Sequence, residues 1–249
     1  AGSTAIVCGS GRSLLRDVPK IVEAKRDGAN VKVFTINSAM RAFPEGVIDH
    51  HFMLDWSAKP EWWEGVNTDG IGLIISPAVP PVVQNNFKDI RYFSGPVPAA
   101  DKSGAMEWDK VGELEQCLHA TYSVMHLCWK MGFDRVVLTG HDYALTDNWY
   151  HWDARAKSEF AEKEKLHCAE DLRGNTTMTG WRMMRNMHVV NAASKFCDMD
   201  GMPVINASLE GILATERQAK LEDCLESTPP MLVEPGSFTV EPTEELMAA

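Results

Sequence analysis

A doubly wound α/β fold, Rossmann-like, with a mostly parallel sheet and helices on both faces, is predicted by three observations. Short β-branched runs alternate with longer stretches of helical period, the pattern of parallel strands joined by crossover helices. Several runs, such as Val33-Phe34-Thr35-Ile36 and Val136-Val137-Leu138, are almost continuously apolar, which suits strands covered on both faces. The runs end on glycine or polar residues, and open α/β sheets bind ligands beyond those carboxyl ends.

The first strand spans 4–8 and reaches a helix at 14–26 through Gly9-Ser10-Gly11-Arg12-Ser13, with glycines for a tight turn and Ser13 as a helix cap. A strand at 31–36 ends on Asn37-Ser38, one at 48–54 on Asp55-Trp56, and one at 71–76 on Ser76-Pro77. Between the last two, 57–70 reads as a surface insertion whose Trp62-Trp63 pair suits a lid over an acceptor or a cover for the core. A strand at 90–93 and a second insertion at 96–109 precede a helix at 111–131 and a strand at 135–139. Helices follow at 154–168 and 178–199; the latter carries Trp181, Met184, His188 and Asn191 on one face, read as core-facing. A strand at 203–206 ends on Asn206-Ala207-Ser208, and a helix covers 213–224. One domain over 1–226 accommodates these elements, and the acidic, proline-containing stretch 227–249 reads as a flexible tail.

A formal charge of -11, from 35 acidic against 24 basic residues, argues against coating nucleic acid or an anionic membrane. No window approaches the ~18 uncharged apolar residues of a membrane helix, and no signal-peptide pattern opens the chain. A cytoplasmic protein is expected, and a homo-oligomer is left open. Cys8, Cys117, Cys128, Cys168, Cys197 and Cys224 form no C-x-x-C pair, so free, mostly buried thiols in a reducing compartment are expected.

The strand-end residues form the candidate site. Gly9, Ser10 and Gly11 before a helix could cradle a phosphate on backbone amides, or could simply make a tight turn. Leu14 replaces the third glycine of G-x-G-x-x-G and Asn37 stands where an acid would meet a ribose, which disfavours NAD; no P-loop motif is present. The stretches 140–143 and 148–153 gather Gly140, His141, Asp142, Tyr143, Trp149, Tyr150, His151, Trp152 and Asp153. Histidine can act as a base near neutral pH, aspartate can orient it, and aromatic faces suit sugars or bases. His50 and His51 face opposite sides of a strand and read as structural. His119 and His126, seven apart, do not match a helical zinc motif.

The order of motifs carries a resemblance. It runs from Ile6-Val7-Cys8-Gly9-Ser10-Gly11-Arg12-Ser13-Leu14 through Ile36-Asn37-Ser38-Ala39 and Ser76-Pro77-Ala78-Val79. It continues through Met131-Gly132-Phe133-Asp134-Arg135-Val136-Val137-Leu138-Thr139-Gly140-His141-Asp142-Tyr143 to Val204-Ile205-Asn206-Ala207-Ser208-Leu209-Glu210-Gly211. This order, over about residues 4–212, resembles the Maf-type proteins linked to flagellin glycosylation and is more distantly similar to bacterial CMP-sialic acid transferases. The resemblance implies a metal-independent glycosyltransferase taking a nucleotide sugar and a glycan or protein acceptor, with no cofactor. Gly9, Ser10 and Gly11, with Arg12 and Ser13, would then hold the phosphate end, and Asn37 and Asp55 would contact nucleotide or sugar. Ala120 and Thr121 would lie at the phosphate side of their helix, Gly140, His141 and Asp142 would bind ribose or base, and Tyr143 and Asn206 would join the nucleotide or substrate contacts. His151, or His167, would take the acceptor proton with Asp142 as its catalytic partner. Arg12 stands where proline is usual, and Asp55 where the sialyltransferases have asparagine.

The same resemblance extends to archaeal 6-hydroxymethyl-dihydropterin diphosphokinases, which imply ATP and Mg²⁺; here the third strand end offers only Asp55, fewer carboxylates than such a cation favours. A non-catalytic nucleotide-binding module is the other alternative.

Overall fold

The computed structural model describes residues 3–55, 58–77, 79–93, 119–145 and 165–225. Its strands are β1 (Thr4–Cys8), β2 (Val31–Ile36), β3 (His50–Met53), β4 (Gly72–Ile75), β5 (Asp89–Tyr92), β6 (Arg135–Thr139), β7 (Leu166–Glu170), β8 (Thr176–Gly180), β9 (Val204–Asn206) and β10 (Arg217–Gln218). The helices are α1 (Leu14–Arg26), α2 (Pro81–Gln84), α3 (Ala120–Lys130), α4 (Trp181–Met199) and α5 (Leu221–Leu225).

Side chains alternate between the two faces of a strand, and that alternation builds two cores here. Ala5, Val7, Phe34, Ile36, Val136 and Leu138 point to one face, under α3 and α4. Ile6, Cys8, Val33, Leu73, Ile75 and Val137 point to the other, under α1 and α5. In α1, Leu14, Val18 and Ile21 are buried, each stabilising the layer by roughly 1.5–3 kcal/mol.

Eight strands form one sheet in the order β10-β9-β6-β1-β2-β3-β4-β5, every neighbouring pair parallel. Strands β1 to β5 step outward in one direction, and the chain then returns to lay β6 against the free side of β1, Ile6 opposite both Val33 and Val137. The winding reverses between β1 and β6, so their carboxyl ends open the crevice where such sheets bind ligands.

The doubly wound parallel sheet is therefore as predicted, and β1, α1, β2 and β6 have the expected bounds. Other segments need correction. Residues 166–168, expected at the end of a helix, belong to β7, and 178–180, expected to start one, belong to β8; the two strands pair antiparallel as a hairpin. Of the helix expected over 213–224, only the part from Leu221 is helical, and Arg217–Gln218 extends the sheet instead. On α4 the core-facing residues are Met184, Met187, Val190, Ala193, Ser194 and Cys197. Trp181 and His188 are exposed, because the buried row is turned around the helix from the expected one. Within the first insertion Trp63 is 5% exposed in the core beneath α1, covering that core. Cys168 is an exposed thiol, whereas the free thiols of Cys8, Cys128, Cys197 and Cys224 are buried. Among the described residues no helix is long and apolar enough to cross a membrane. The expected insertion at 96–109, the helices' segments at 111–118 and 154–164, and the tail lie outside the described residues.

Candidate functional site

The turn after β1 and the turn after β6 are locked together. Gly9 N–H donates to the Thr139 carbonyl and Gly11 N–H to the Gly140 carbonyl, both at 2.8 Å. Backbones this close leave no room for side chains: a Cβ on Gly9 would lie 2.5 Å from the Gly140 oxygen, and one on Gly11 2.6 Å from the Asp142 carboxyl. Ser13 starts α1 without a side-chain cap of its own. Asp142 supplies the cap from across the crevice, accepting Ser13 N–H at 3.0 Å and the Ser13 hydroxyl at 2.5 Å. A carboxylate there sits favourably on the helix dipole, although burial pushes its carboxyl above the usual range against the pull of the Ser13 bonds. The amides of Gly9, Gly11 and Ser13, expected to cradle a phosphate, are thus bonded within the protein.

A second polar group lies at the amino end of α3, next to the β6 turn. His141 is 4% exposed. Its Nδ1 lies 3.0 Å from the Thr139 carbonyl and its Nε2 3.0 Å from the Thr121 hydroxyl. A carbonyl only accepts, so Nδ1 carries the proton and Thr121 donates to Nε2. Burial lowers the His141 pKa to about 3, with His119 nearby adding to the shift and the Thr139 bond opposing it; the ring is neutral at pH 7. Tyr143 lies in the left-handed region at φ 53, an uncommon and strained conformation for a bulky residue. It is held there by the Thr179 hydroxyl donating to its carbonyl at 2.7 Å, while Leu145 N–H donates to the Met178 carbonyl at 2.6 Å. The Tyr143 hydroxyl meets His119 Nε2 at 3.2 Å. His119 precedes the first turn of α3, and burial lowers its pKa to about 4. Its Nδ1 is buried with no partner among the described residues.

The remaining predicted residues are spread around these two groups. Asn37 ends β2 at φ 52, and its buried Oδ1 also lacks a partner among the described residues. The Ser10 and Ser38 hydroxyls meet at 3.1 Å above the ends of β1 and β2. Arg12 and Asp55 are half-buried. Ala120 and Thr121 form the first turn of α3, where helix amides lack intrahelical partners. Asn206 turns inward instead: its Nδ2 donates to the Leu213 carbonyl at 2.6 Å and its Oδ1 accepts Ser208 N–H at 3.0 Å. Ser208, in turn, accepts His141 N–H at 2.8 Å. His167 lies half-buried in β7, and His151 lies outside the described residues. His50 and His51 serve opposite layers, one ring against Phe34 and the other stacked on Phe87. Among the described residues no three His, Cys, Asp or Glu side chains gather as metal ligands. A cavity of about 350 Å³, lined by residues including Arg41, Glu45, Glu64 and Ile71, lies by the amino ends of β3 and β4, away from the crevice.

His119 is the member of this polar group that the sequence pattern raises only as a zinc ligand. The signal available was its position directly before Ala120-Thr121.

No family model and no curated protein matches the sequence. Among solved structures, the chain is similar to the MAf glycosyltransferase from Magnetospirillum magneticum AMB-1, with a TM-score of 0.61 and 16% identity. The match covers 99% of this chain and 36% of that one, so the chain spans little more than a third of its neighbour's length. The chain therefore shares its fold with that protein, whose description falls in the group that the motif order resembles.

Proposed function

We propose that the protein is a glycosyltransferase-like enzyme that moves a sugar, of the sialic-acid type, from a nucleotide donor to a hydroxyl of a glycan or protein. The observation that carries this reading is the switch point between β1 and β6, where the amino end of α3 meets Thr121, His141 and Tyr143. The fold likeness to a protein described as a glycosyltransferase adds support.

In this reading the donor's phosphate rests on the first turn of α3, at Ala120 and Thr121, where unpaired amides and the helix dipole favour an anion. Those amides, with Arg12, stabilise charge on the departing phosphate, an electrostatic contribution that needs no metal. Asn37 and Asp55, at the ends of β2 and β3, contact the nucleotide or sugar. Asp142 holds α1 and the β6 turn in register. His151 or His167 takes the acceptor proton, a role worth typically 10²–10⁴-fold.

The test is a melting-temperature panel of CMP, CDP, UDP, GDP and ATP, each with and without Mg²⁺, followed by a transfer assay with the sugar of the best nucleotide, since binding to the native state raises the melting temperature. Stabilisation by a cytidine or uridine nucleotide without metal is expected. A shift with ATP and Mg²⁺ alone would replace this reading with diphosphoryl transfer. Binding without transfer would leave a nucleotide-binding module.

A further inference from the structure

We propose that β5 is a dimerisation edge, on which a second copy of this chain pairs antiparallel about a two-fold axis at Ile90.

β5 is the outermost strand of the sheet, with β4 on one side and no strand on the other among the described residues. Its backbone is oriented by the ladder to β4. Asp89, Ile90, Arg91 and Tyr92 stand opposite Gly72, Leu73, Ile74 and Ile75, and Phe93 N–H donates to the Ile75 carbonyl at 3.2 Å. Successive residues of a strand turn their amides and carbonyls to opposite sides. Asp89, Arg91 and Phe93 therefore serve β4, while Ile90 and Tyr92 direct theirs away from the sheet. Such outward groups are a template for another strand. The opposite edge offers a far shorter one, since β10 has two residues and its Arg217 is held by Asp198 at 2.6 Å.

The side chains select the occupant. An edge with charges of one sign repels a second copy, but the signs alternate in Lys88-Asp89-Ile90-Arg91-Tyr92. When two antiparallel copies are centred on Ile90, Asp89 of each faces Arg91 of the other. Ile90 makes the hydrogen-bonded pair with its own copy, so the two Asp89–Arg91 crossings fall at the positions where opposed side chains come closest. On the other face Ile90 meets Ile90, and Tyr92 meets Lys88 of the second copy, a ring beside a cation. Asp89 and Arg91 are both more than half exposed and pair with each other at 3.4 Å in the single chain. Lys88 is exposed and reaches Asp69 at 2.8 Å. Tyr92 is 57% exposed, and its hydroxyl donates to Gln84 of α2 at 2.6 Å, which holds the ring at the edge.

Other registers are worse. A slip of one residue sets outward backbone groups against inward ones. A slip of two places Arg91 against Arg91 or Asp89 against Asp89, and like charges directly opposite are destabilising. The sequence is thus self-complementary in one register. The contact is small, so the dimer dissociates on dilution.

Two measurements on the full chain test this, and neither needs a substrate. Sedimentation velocity over a concentration series is expected to show monomer and dimer in exchange. Asp89→Arg or Arg91→Asp alone puts like charges at both crossings and should raise the concentration of half-dimerisation by about tenfold or more. The double variant with both changes restores opposite charges and should return it to within about threefold of wild type. Hydrogen exchange gives the second readout: the Ile90 amide should slow as protein concentration rises, while the Arg91 amide, bonded to β4, should not change. A monomer at every concentration, a dimer that neither single change weakens, a double variant no better than the singles, or Ile90 exchange independent of concentration overturns the proposal.

Discussion

The two halves of the crevice differ in how their polar groups are used. On the α1 side, the Gly9 and Gly11 amides are bonded to the Thr139 and Gly140 carbonyls and the Ser13 amide to the Asp142 carboxylate, where the glycines leave no room for a Cβ. On the α3 side, His119 Nδ1 is buried without a partner among the described residues, the same holds for Asn37 Oδ1 at the end of β2, and Tyr143 is strained. A buried polar atom left unpaired costs about 1–3 kcal/mol. The glycine-rich motif, the feature easiest to notice in the sequence, is thus bonded into the junction of α1 with the β6 turn, and the start of α3 keeps a buried polar atom unpaired among the described residues.

The contrast can be broken most severely at its tightest point. Gly9→Val puts atoms inside the Gly140 carbonyl. It is expected to cost more than about 4 kcal/mol, the range of severe core lesions, or to prevent folding; a urea midpoint like that of wild type would show that the interlock yields easily.

Acid should act next. His51 and His141 have folded pKa values of about 3, lowered chiefly by burial, against ~6.5 unfolded. The unfolded chain therefore takes up their protons first. Their contribution is intact above pH 6.5 and is lost as pH falls from there toward 3, by about 1.4 kcal/mol per pH unit for each ring. Urea melts at pH 7 and 5 should differ by about 4 kcal/mol from this pair. Asp142, raised by burial, works in the opposite sense, so Asp142→Asn should steepen the loss. A flat profile would mean that water reaches these rings.

Thr121→Val removes the donor to His141 Nε2, leaving a buried acceptor at a cost of about 1–3 kcal/mol. It should also weaken nucleotide binding, and stability loss with unchanged affinity would move Thr121 to the bonded half of the crevice. The smallest effect is expected at Glu210, which pairs with Arg16 on α1 and with Arg173 in the β7–β8 turn. These groups are all more than a third exposed, so Glu210→Gln should shift the urea midpoint by no more than about 1 kcal/mol.

What the chain's residues disclosed by themselves depended on range. Strands β1, β2 and β6 are short, largely apolar, β-branched runs, and their bounds follow from that pattern. Residues 166–168 are expected to be helical because Leu166-His167-Cys168-Ala169-Glu170 contains no β-branched residue; the pairing of β7 with β8 outweighs local propensity. The bond of Asp142 to Ser13 is not legible in either segment alone, because the two residues lie 129 positions apart. His119 became informative only once Tyr143, 24 residues on, was brought against it.

The parallel register of β1 also has a consequence for the order in which the protein can assemble. Thr4 is opposite Val31 on one side and Arg135 on the other. During synthesis, β1 to β5 can form while one long edge of β1 waits for Arg135–Thr139 to emerge. Pairings of such separation slow folding, and an unpaired central strand is a template for the wrong partner. Ala5, Ile6 and Val7 stand on that waiting edge with no charge among them. Aggregation of chains truncated before Val136 should therefore exceed that of chains carrying β6.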